Sequence, residues 1–343
     1  MLALRKLTPG AGEPALADVP VPLPGPGQAR IAVTAAGICG TDLHILHDEY
    51  SFRPPVTMGH EVAGIVDALG DGVDPAWLAA LVAPETAFRT CGICRWCRTG
   101  RPMLCRERLS IGSGVDGGFA AYLVVPAVLL HRLPAGLDDQ AGALTEPLAC
   151  VCNALLDPPV VQPGDRVVVI GAGAVGMLAA QVARAAGGLV ELVGTAADAE
   201  RLAVARTIGL ATGSIDLPAD RDRLAAEGGA RSIDVVVECA GVEAATRMGL
   251  GLVRPGGHYV QVGLLPGEVR LPFGLVVAGE LQVRATFGSS PASWLRAVAI
   301  LEAGAVQLKP LVSGALPLRD WRHAFTRLEE RTGIKTVLDP RLD

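Results

Sequence analysis

The chain has 343 residues, of which 50% are hydrophobic and 19% are charged, and its formal net charge is −5. This composition excludes intrinsic disorder, because enough apolar surface is present to bury a core, and the length predicts about two domains. The negative charge argues against a nucleic-acid partner, since no basic excess is present to neutralise a phosphate backbone.

Targeting signals and membrane spans are not recognisable in the sequence. The first residues lack a signal-peptide pattern, and the longest nearly apolar stretch, 119–130, is too short to span a bilayer. We therefore expect a cytoplasmic protein without a membrane partner. Thiols stay reduced in that compartment, so the eight cysteines indicate metal binding or catalysis before disulfides.

The first half of the chain predicts a β-rich domain with many turns. Proline and glycine are frequent at its start, and short apolar runs predict strands at 31–35, 62–68 and 120–125. We place this domain at residues 1–150.

From about residue 150 strands and helices alternate. The apolar run in 166–170 predicts a strand that is buried on both faces, and a glycine-rich loop and a helix at 175–186 follow it. Further strands are predicted at 189–193, 233–238 and 258–262. The alternation predicts an α/β fold with a doubly wound parallel sheet at 151–286.

The last part of the chain has a third pattern. Helices are predicted at 294–303 and 320–331, and a final strand at 336–338. We expect this C-terminal segment, 287–343, to return to the first domain.

Four cysteines lie close together in the first half, with the spacing C-x2-C-x2-C-x7-C. They are Cys91, Cys94, Cys97 and Cys105. Four thiolates complete the tetrahedral coordination of zinc and leave no position for a substrate, so the cluster predicts a structural zinc site. An iron–sulfur cluster is the alternative, because ferredoxins also use closely spaced cysteines.

A second set of metal-binding residue types is dispersed along the chain. Cys39, His60, Glu61 and Glu146 all carry side chains that bind zinc, and three protein ligands with one open position define a catalytic zinc. Spacing alone does not link these residues into one site. A buried structural cysteine and histidine are the alternative.

The glycine-rich loop has the pattern G-x-G-x-x-G between a predicted strand and a predicted helix. Its candidate cofactor contacts are Gly171, Gly173, Val175 and Gly176. In this context the glycines allow the main chain to approach a pyrophosphate at the helix N-terminus. The alternative is a tight turn without a ligand.

The next strand bears on the choice between NAD and NADP. An acidic residue that binds the adenosine ribose is expected about 20 residues after the loop, but Ala196 stands at that place. Without the carboxylate a 2′-phosphate is not repelled, and Thr195 and Arg201 are placed to bind it. We therefore favour NADP, with NAD as the alternative because Asp198 follows closely.

Together these residues resemble the zinc-dependent medium-chain alcohol dehydrogenase family, in particular its sorbitol (polyol) and threonine dehydrogenases. Besides the four cysteines and the glycine loop, the resemblance rests on Cys39-Gly40-Thr41-Asp42-Leu43-His44, Gly59-His60-Glu61-Val62-Ala63-Gly64, Gly117-Gly118-Phe119-Ala120 and Glu146-Pro147-Leu148. It covers nearly the whole chain. It implies a GroES-like catalytic domain with a zinc lobe at 91–105, a Rossmann cofactor-binding domain, and a homo-oligomer, either dimer or tetramer.

The resemblance also implies roles for single residues around the catalytic zinc. Cys39 and His60 are implied as zinc ligands, together with either Glu61 or Glu146, and Asp42 is implied to orient His60.

A proton path and further cofactor contacts are implied as well. Thr41 and His44 are implied to carry the released proton to solvent. Lys335 is implied to contact the cofactor pyrophosphate, with a surface lysine as the alternative. Val262 and Gly263, at the end of a predicted strand, are further candidates for cofactor binding.

The implied activity is hydride transfer between a polar secondary alcohol and NAD(P), with two zinc ions per chain. A polyol, a sugar alcohol and an aminocyclitol all fit. A ketone or aldehyde reductase that uses NADPH and a non-catalytic cofactor-binding relative are the alternatives. Loops at 46–52, 110–114 and 287–290 are expected to line the substrate pocket, with Ser113, Ser289 and Ser290 either as ligands of hydroxyl groups or as ordinary turn residues.

Overall fold

The chain forms two compact units. The structure, a computed structural model, describes residues 1–10, 14–216, 231–265 and 267–343. The first unit comprises Met1–Glu146, Ser289–Val298 and Leu311–Asp343, and the second comprises Pro147–Gly288 and Ala299–Pro310. Within the C-terminal segment 287–343, Ser289–Val298 and Leu311–Asp343 belong to the first unit, whereas residues 287–288 and Ala299–Pro310 belong to the second.

The strands and helices are numbered in chain order. The strands are β1 Leu2–Lys6, β2 Ala15–Asp18, β3 Gln28–Gly37, β4 Val56–Thr57, β5 Glu61–Leu69, β6 Leu81–Pro84, β7 Tyr122–Pro126, β8 Leu130–Arg132, β9 Arg166–Ile170, β10 Leu189–Gly194, β11 Ala211–Ser214, β12 Ile233–Glu238, β13 Val253–Gln261, β14 Gln282–Ala285, β15 Val312–Leu316 and β16 Lys335–Leu338. The α-helices are α1 Gly40–Leu46, α2 Arg95–Arg98, α3 Thr145–Leu155, α4 Ala174–Ala185, α5 Ala199–Thr207, α6 Glu243–Leu252, α7 Phe273–Ala278, α8 Pro291–Glu302 and α9 Trp321–Glu329.

The first unit is built on β-sheets. Three strands form one sheet in the order β2-β1-β4, and a larger sheet has the order β15-β16-β3-β5-β6-β8, with β7 also paired to β3. The antiparallel register of β3 and β5 sets Gly37 opposite Glu61, and β16 adds Val337 opposite Gly37. The end of β3 and the start of β5 therefore adjoin β16, and the metal-binding residue types lie at this place.

The second unit contains the predicted parallel sheet. Its order is β11-β10-β9-β12-β13-β14, and each neighbouring pair is parallel. The strand β9 is central, and its residues Val167 to Ile170 are buried, as the continuous apolar run predicted. Helix α4 packs on β9 and β10, and α6 packs on β12 and β13. This arrangement confirms the α/β, doubly wound fold class.

The helices of the described residues give no candidate for a membrane span, because none is both long enough and apolar enough to cross a bilayer.

Candidate metal and cofactor sites

Helix α1 begins at the cysteine that the sequence marks as a metal ligand. Cys39 is the N-cap residue, and its main-chain N–H donates to Asp42 Oδ2 over 2.9 Å. The Cys39 Sγ lies 3.8 Å from Thr41 Oγ1. Because Asp42 is fully buried, this local bond fixes the start of the helix and with it the direction of the thiol.

His60 and Glu61 reach the same place from the start of β5. The preceding residue, Gly59, has a φ of +88°, and a Cβ there would lie 2.5 Å from the ring of Phe119. Only glycine fits this turn. One ligand atom from each of Cys39, His60 and Glu61 lies within 4.8 Å of the others. These three side chains can therefore hold one metal ion.

Asp42 also connects to the histidine of this group. His60 Nδ1 lies 3.6 Å from Asp42 Oδ1, and that buried oxygen accepts no hydrogen bond from the described residues. A metal ion at the other ring nitrogen leaves Nδ1 protonated and able to donate to Asp42. The unsatisfied oxygen and the donor set thus fit a zinc ion.

The charges around His60 also favour a cation at this place. Burial opposes the charged imidazolium and lowers the pKa of His60, but the Asp42 carboxylate and the hydrogen bond with Cys39 outweigh burial and raise that pKa well above its usual range. A positive charge is therefore stabilised at this position, and a metal ion bound by Cys39 and His60 supplies one.

Lys335 lies against the glutamate of the group. Its Nζ donates to Glu61 Oε1 over 2.8 Å, to Glu61 Oε2 over 2.7 Å and to the Ile38 carbonyl over 2.9 Å. Both side chains are buried. Burial disfavours the ammonium, but Glu61 and Cys39 raise the pKa of Lys335 above its usual value. The alternative of a surface lysine is therefore wrong, while the contact of Lys335 with a cofactor stays a prediction.

Glu146 occupies the first turn of α3 and is buried. The preceding turn packs on β5, since a Cβ on Gly142 would lie 2.9 Å from the Cβ of Ala63. The group of adjoining ligand atoms found among the described residues contains Glu61 and does not contain Glu146. The structure thus brings Glu61 to the cysteine and the histidine, and the part of Glu146 in metal binding stays a prediction.

The two residues predicted for proton transfer share α1. Thr41 and His44 are three residues apart, a spacing that sets them on one face of the helix. The ring of His44 is 43% exposed, and its Nδ1 lies 2.7 Å from Glu49 Oε2. Thr41 adjoins the Cys39 sulfur, while His44 reaches solvent.

The four clustered cysteines form a second group of metal-binding atoms. Cys94 Sγ lies 3.5 Å from Cys97 Sγ, and Cys91 Sγ lies 3.6 Å from Cys105 Sγ and 4.0 Å from Cys97 Sγ. The Cys94 N–H donates to Cys91 Sγ over 3.3 Å. A hydrogen bond with Thr90 and bonds within the group lower the pKa of Cys97 to about 7. Four convergent sulfurs suit zinc in a closed tetrahedral site.

In the second unit the glycine loop leads from β9 into α4. Gly171 has a φ of +108°, and a Cβ on Gly176 would lie 1.8 Å from the Gly171 carbonyl oxygen. Gly173 is the N-cap of α4 and has open space where its Cβ would lie, and Val175 is in the first turn. The positive φ of Gly171 and the close contact at Gly176 hold the turn tight. The open space at Gly173 allows a phosphate to approach the helix N-terminus.

The turn after β13 holds two more predicted contacts. The N–H groups of Val262 and Gly263 each donate to the Glu238 carbonyl over 2.9 Å. A Cβ on Gly263 would lie 2.3 Å from the Gly241 nitrogen, so this turn touches the loop after β12. The sequence analysis missed Glu238, a fully buried carboxylate whose pKa burial raises. An acidic residue at the end of an apolar strand is the signal that could have revealed it.

The loop after β10 contains the residues that bear on the cofactor choice. Asp198 Oδ2 accepts hydrogen bonds from the Thr195 N–H over 2.9 Å and from Thr195 Oγ1 over 2.8 Å, and Asp198 Oδ1 lies 3.5 Å from Arg201 Nη1. The Ala196 N–H donates to Asp216 Oδ2 over 2.6 Å. Sequence reasoning missed Asp216, because it follows the neighbouring strand.

Two of the hydroxyls proposed for substrate binding are engaged elsewhere. Ser289 Oγ accepts from Trp294 Nε1 over 2.9 Å, and Ser290 Oγ accepts from the Ser293 N–H over 3.1 Å. These contacts fit ordinary turn residues. Ser113 is buried, and its carbonyl accepts from the Arg53 N–H over 2.8 Å.

The comparisons with known proteins agree with this geometry. Profiles of the alcohol dehydrogenase GroES-like domain and of zinc-binding dehydrogenases match residues 25–135 and 174–303. The chain is therefore a member of the zinc-dependent medium-chain alcohol dehydrogenases. Within that family it belongs to the polyol and threonine dehydrogenase branch, and it is an NAD(P)-dependent oxidoreductase.

Individual relatives span the whole chain. A sorbitol dehydrogenase of Halalkalibacterium halodurans is 37% identical over 99% of both chains, and an L-threonine 3-dehydrogenase of an Anaeromyxobacter species is 33% identical over 99% of both. A putative zinc-binding dehydrogenase of Sinorhizobium meliloti, solved with bound NADP, is 32% identical, with a TM-score of 0.90 over 99% of both chains.

Proposed function

We propose that this dehydrogenase oxidises a polar secondary alcohol such as a polyol, a sugar alcohol or an aminocyclitol. The observation that carries the proposal is the grouping of Cys39, His60 and Glu61, with Asp42 and Lys335 buried beside it. The sorbitol dehydrogenase that resembles the chain over its full length supports a substrate with several hydroxyl groups. In this proposal the first unit is catalytic and the second binds the cofactor.

Two zinc ions per chain are part of the proposal. Cys39, His60 and a carboxylate, Glu61 or Glu146, would hold the catalytic ion. The four clustered cysteines, Cys91 to Cys105, would hold the structural one. When bound, the catalytic zinc supplies Lewis acidity to an alcohol oxygen, and the nicotinamide supplies the hydride acceptor.

The protein side chains prepare the reaction around these groups. Asp42 orients the imidazole of His60 through Nδ1. The Lys335 ammonium neutralises Glu61 and holds its carboxylate at 2.7 and 2.8 Å. Thr41 Oγ1 accepts the alcohol proton beside the Cys39 sulfur and gives up its own hydroxyl proton in exchange. The exposed His44 at the outer end of this path takes up a proton on one ring nitrogen and releases one to solvent.

For the cofactor we propose a preference for NADP. The absence of a carboxylate at Ala196 removes the usual repulsion of a 2′-phosphate. The Sinorhizobium relative, which is solved with NADP, supports the proposal. The carboxylates of Asp198 and Asp216 oppose it, because they already bind the Thr195 hydroxyl and the Ala196 N–H.

We also propose a cytoplasmic homo-oligomer, either a dimer or a tetramer. Strand β14 ends the order of the parallel sheet, and Val283 on it is 48% exposed. Nearby in sequence, Phe273 and Val277 on α7 are also exposed. A strand that lies at the sheet edge among the described residues and carries an exposed apolar side chain suits pairing with a second copy of the chain. Light scattering of the purified protein measures the molar mass and so distinguishes a monomer, a dimer and a tetramer.

A matrix of initial rates tests the function. Formation of reduced cofactor is followed with NAD and NADP against polyols, sugar alcohols, aminocyclitols, threonine and simple secondary alcohols, alongside the zinc content per chain. Turnover of a polar alcohol with about two zinc ions per chain supports the proposal. Turnover confined to simple alcohols refutes the substrate class, and inactivity without bound zinc refutes the enzymatic mechanism.

A further inference from the structure

Three neighbouring strand ends define the adenosine side of the cofactor site. The order β11-β10-β9 sets the glycine loop, the turn after Gly194 and the turn after Ser214 side by side. A dinucleotide lies across these carboxyl ends, and its adenosine ribose lies at the end of the second strand. A Cβ on Gly194 would lie 3.1 Å from Asp198 Oδ2 and 3.4 Å from the Cβ of Ala172 in the glycine loop.

The donors suited to a 2′-phosphate at this place are already bound to carboxylates. A phosphate would take hydrogen bonds from the hydroxyl of Thr195, the N–H of Ala196 and the guanidinium of Arg201. Asp198 binds Thr195 at 2.8 Å and lies 3.5 Å from Arg201, while Asp216 binds Ala196 at 2.6 Å. Two carboxylates of the chain therefore occupy positions that an anionic ligand would take.

The two carboxylates differ in how firmly they are held. Asp198 binds both the N–H and the hydroxyl of Thr195, stands one residue before α5 and is half-buried, so it is part of the local fold. Asp216 is exposed and reaches the loop from the neighbouring strand. A competing anion would therefore displace Asp216 before Asp198.

We propose that Asp216 determines how strongly this chain binds a cofactor with a 2′-phosphate. Its carboxylate occupies the Ala196 N–H and repels a second anion there, whereas a free 2′-hydroxyl carries no charge to be repelled. The inference rests on the proposed function, since it assumes that a dinucleotide binds at this edge of the sheet. Discrimination between NAD and NADP then depends on Asp216, the second residue after β11, in addition to the missing carboxylate at position 196.

Equilibrium binding tests this inference without relying on turnover. Dissociation constants of NADH and NADPH are measured by titration calorimetry for the wild type, Asp216→Ala and Asp216→Asn, and 2′-AMP serves as a probe of the phosphate site alone. We expect both variants to bind NADPH and 2′-AMP at least about tenfold more tightly, a change of about 1.4 kcal/mol. The affinity for NADH should change less than about threefold.

A matched control separates this local effect from net charge. Glu200 is exposed in the first turn of α5, and the described residues show no ion pair for it. Glu200→Gln removes one negative charge from the same region and should leave both affinities within about threefold.

The possible results separate the inference from the function on which it rests. If the wild type binds both cofactors and the Asp216 variants leave the ratio of their affinities unchanged, the inference is overturned and the proposed function stands. A shift of the same size in Glu200→Gln also overturns it. If the wild type binds neither NADH nor NADPH, the proposed function itself fails.

Discussion

Replacement of Lys335 by methionine tests the buried ion pair at the candidate metal site. The Lys335 ammonium lies 2.7 and 2.8 Å from the two oxygens of Glu61, and the two residues are only 6% and 1% exposed. Methionine keeps most of the length of the side chain but leaves Glu61 buried without its cation. Removal of one partner of a buried pair costs about 3–5 kcal/mol, so we expect the free energy of unfolding to fall by that amount.

Tryptophan fluorescence during urea unfolding measures this change. All four tryptophans, at positions 77, 96, 294 and 321, belong to the first unit, so their emission reports on the unit that contains the pair. The double variant Lys335→Met/Glu61→Gln removes both charges and should regain at least half of the loss. As a control, Arg319→Met breaks a 3.6 Å contact of an exposed arginine with Asp343 and should cost less than about 1 kcal/mol.

Two results would refute the reasoning about this pair. One is a cost for Lys335→Met that does not exceed that of Arg319→Met. The other is a double variant whose loss of stability equals the sum of the losses measured for Lys335→Met and Glu61→Gln alone, since the two charges would then act independently. Measurement with zinc and with a chelator separates the pair from any contribution of bound metal.

Three further predictions concern the metal groups and a pH-sensitive ion pair. Cys39→Ala should abolish turnover and lower the zinc content from about two ions to about one per chain, with an unchanged circular dichroism spectrum; normal turnover would contradict the zinc mechanism. Cys94→Ala should act on stability first, and a cost of about 3 kcal/mol would lower the Tm by roughly 6–12 °C, as calorimetry can show. Burial raises the pKa of Asp339, but the bond with Arg341 at 2.7 Å outweighs it and lowers that pKa below 3.8. The pair therefore stabilises the fold above pH 3.8 and loses its effect as the pH falls through the lowered pKa of Asp339. Because the Arg341 side chain is half-exposed, Arg341→Met should lower the free energy of unfolding at pH 7 by only about 1–2 kcal/mol. The difference from wild type should shrink below pH 3.8.

The sequence by itself determined the features that depend on neighbouring residues. The apolar run at 166–170 predicted a buried parallel strand, because both faces of such a strand are covered. The spacing of glycines after it predicted the turn into α4, and Gly171 and Gly176 have the tight contacts that the pattern requires. The four clustered cysteines converge for the same reason, since a short loop limits how far their sulfurs can separate. The fold class and the family followed from these local patterns and their order along the chain.

Only the tertiary structure decided which distant residues meet. The register of β3 and β5 sets Glu61 opposite Gly37, and β16 then brings Lys335 to a carboxylate that is 274 positions away in the chain. Sequence spacing carries no information about such a pair, so Glu61 and Glu146 had remained equivalent candidates. Asp216 escaped notice for the same reason, because the parallel pairing of β10 and β11 brings its carboxylate to Ala196. Strand register, which the whole sheet determines, sets the charges around both candidate sites.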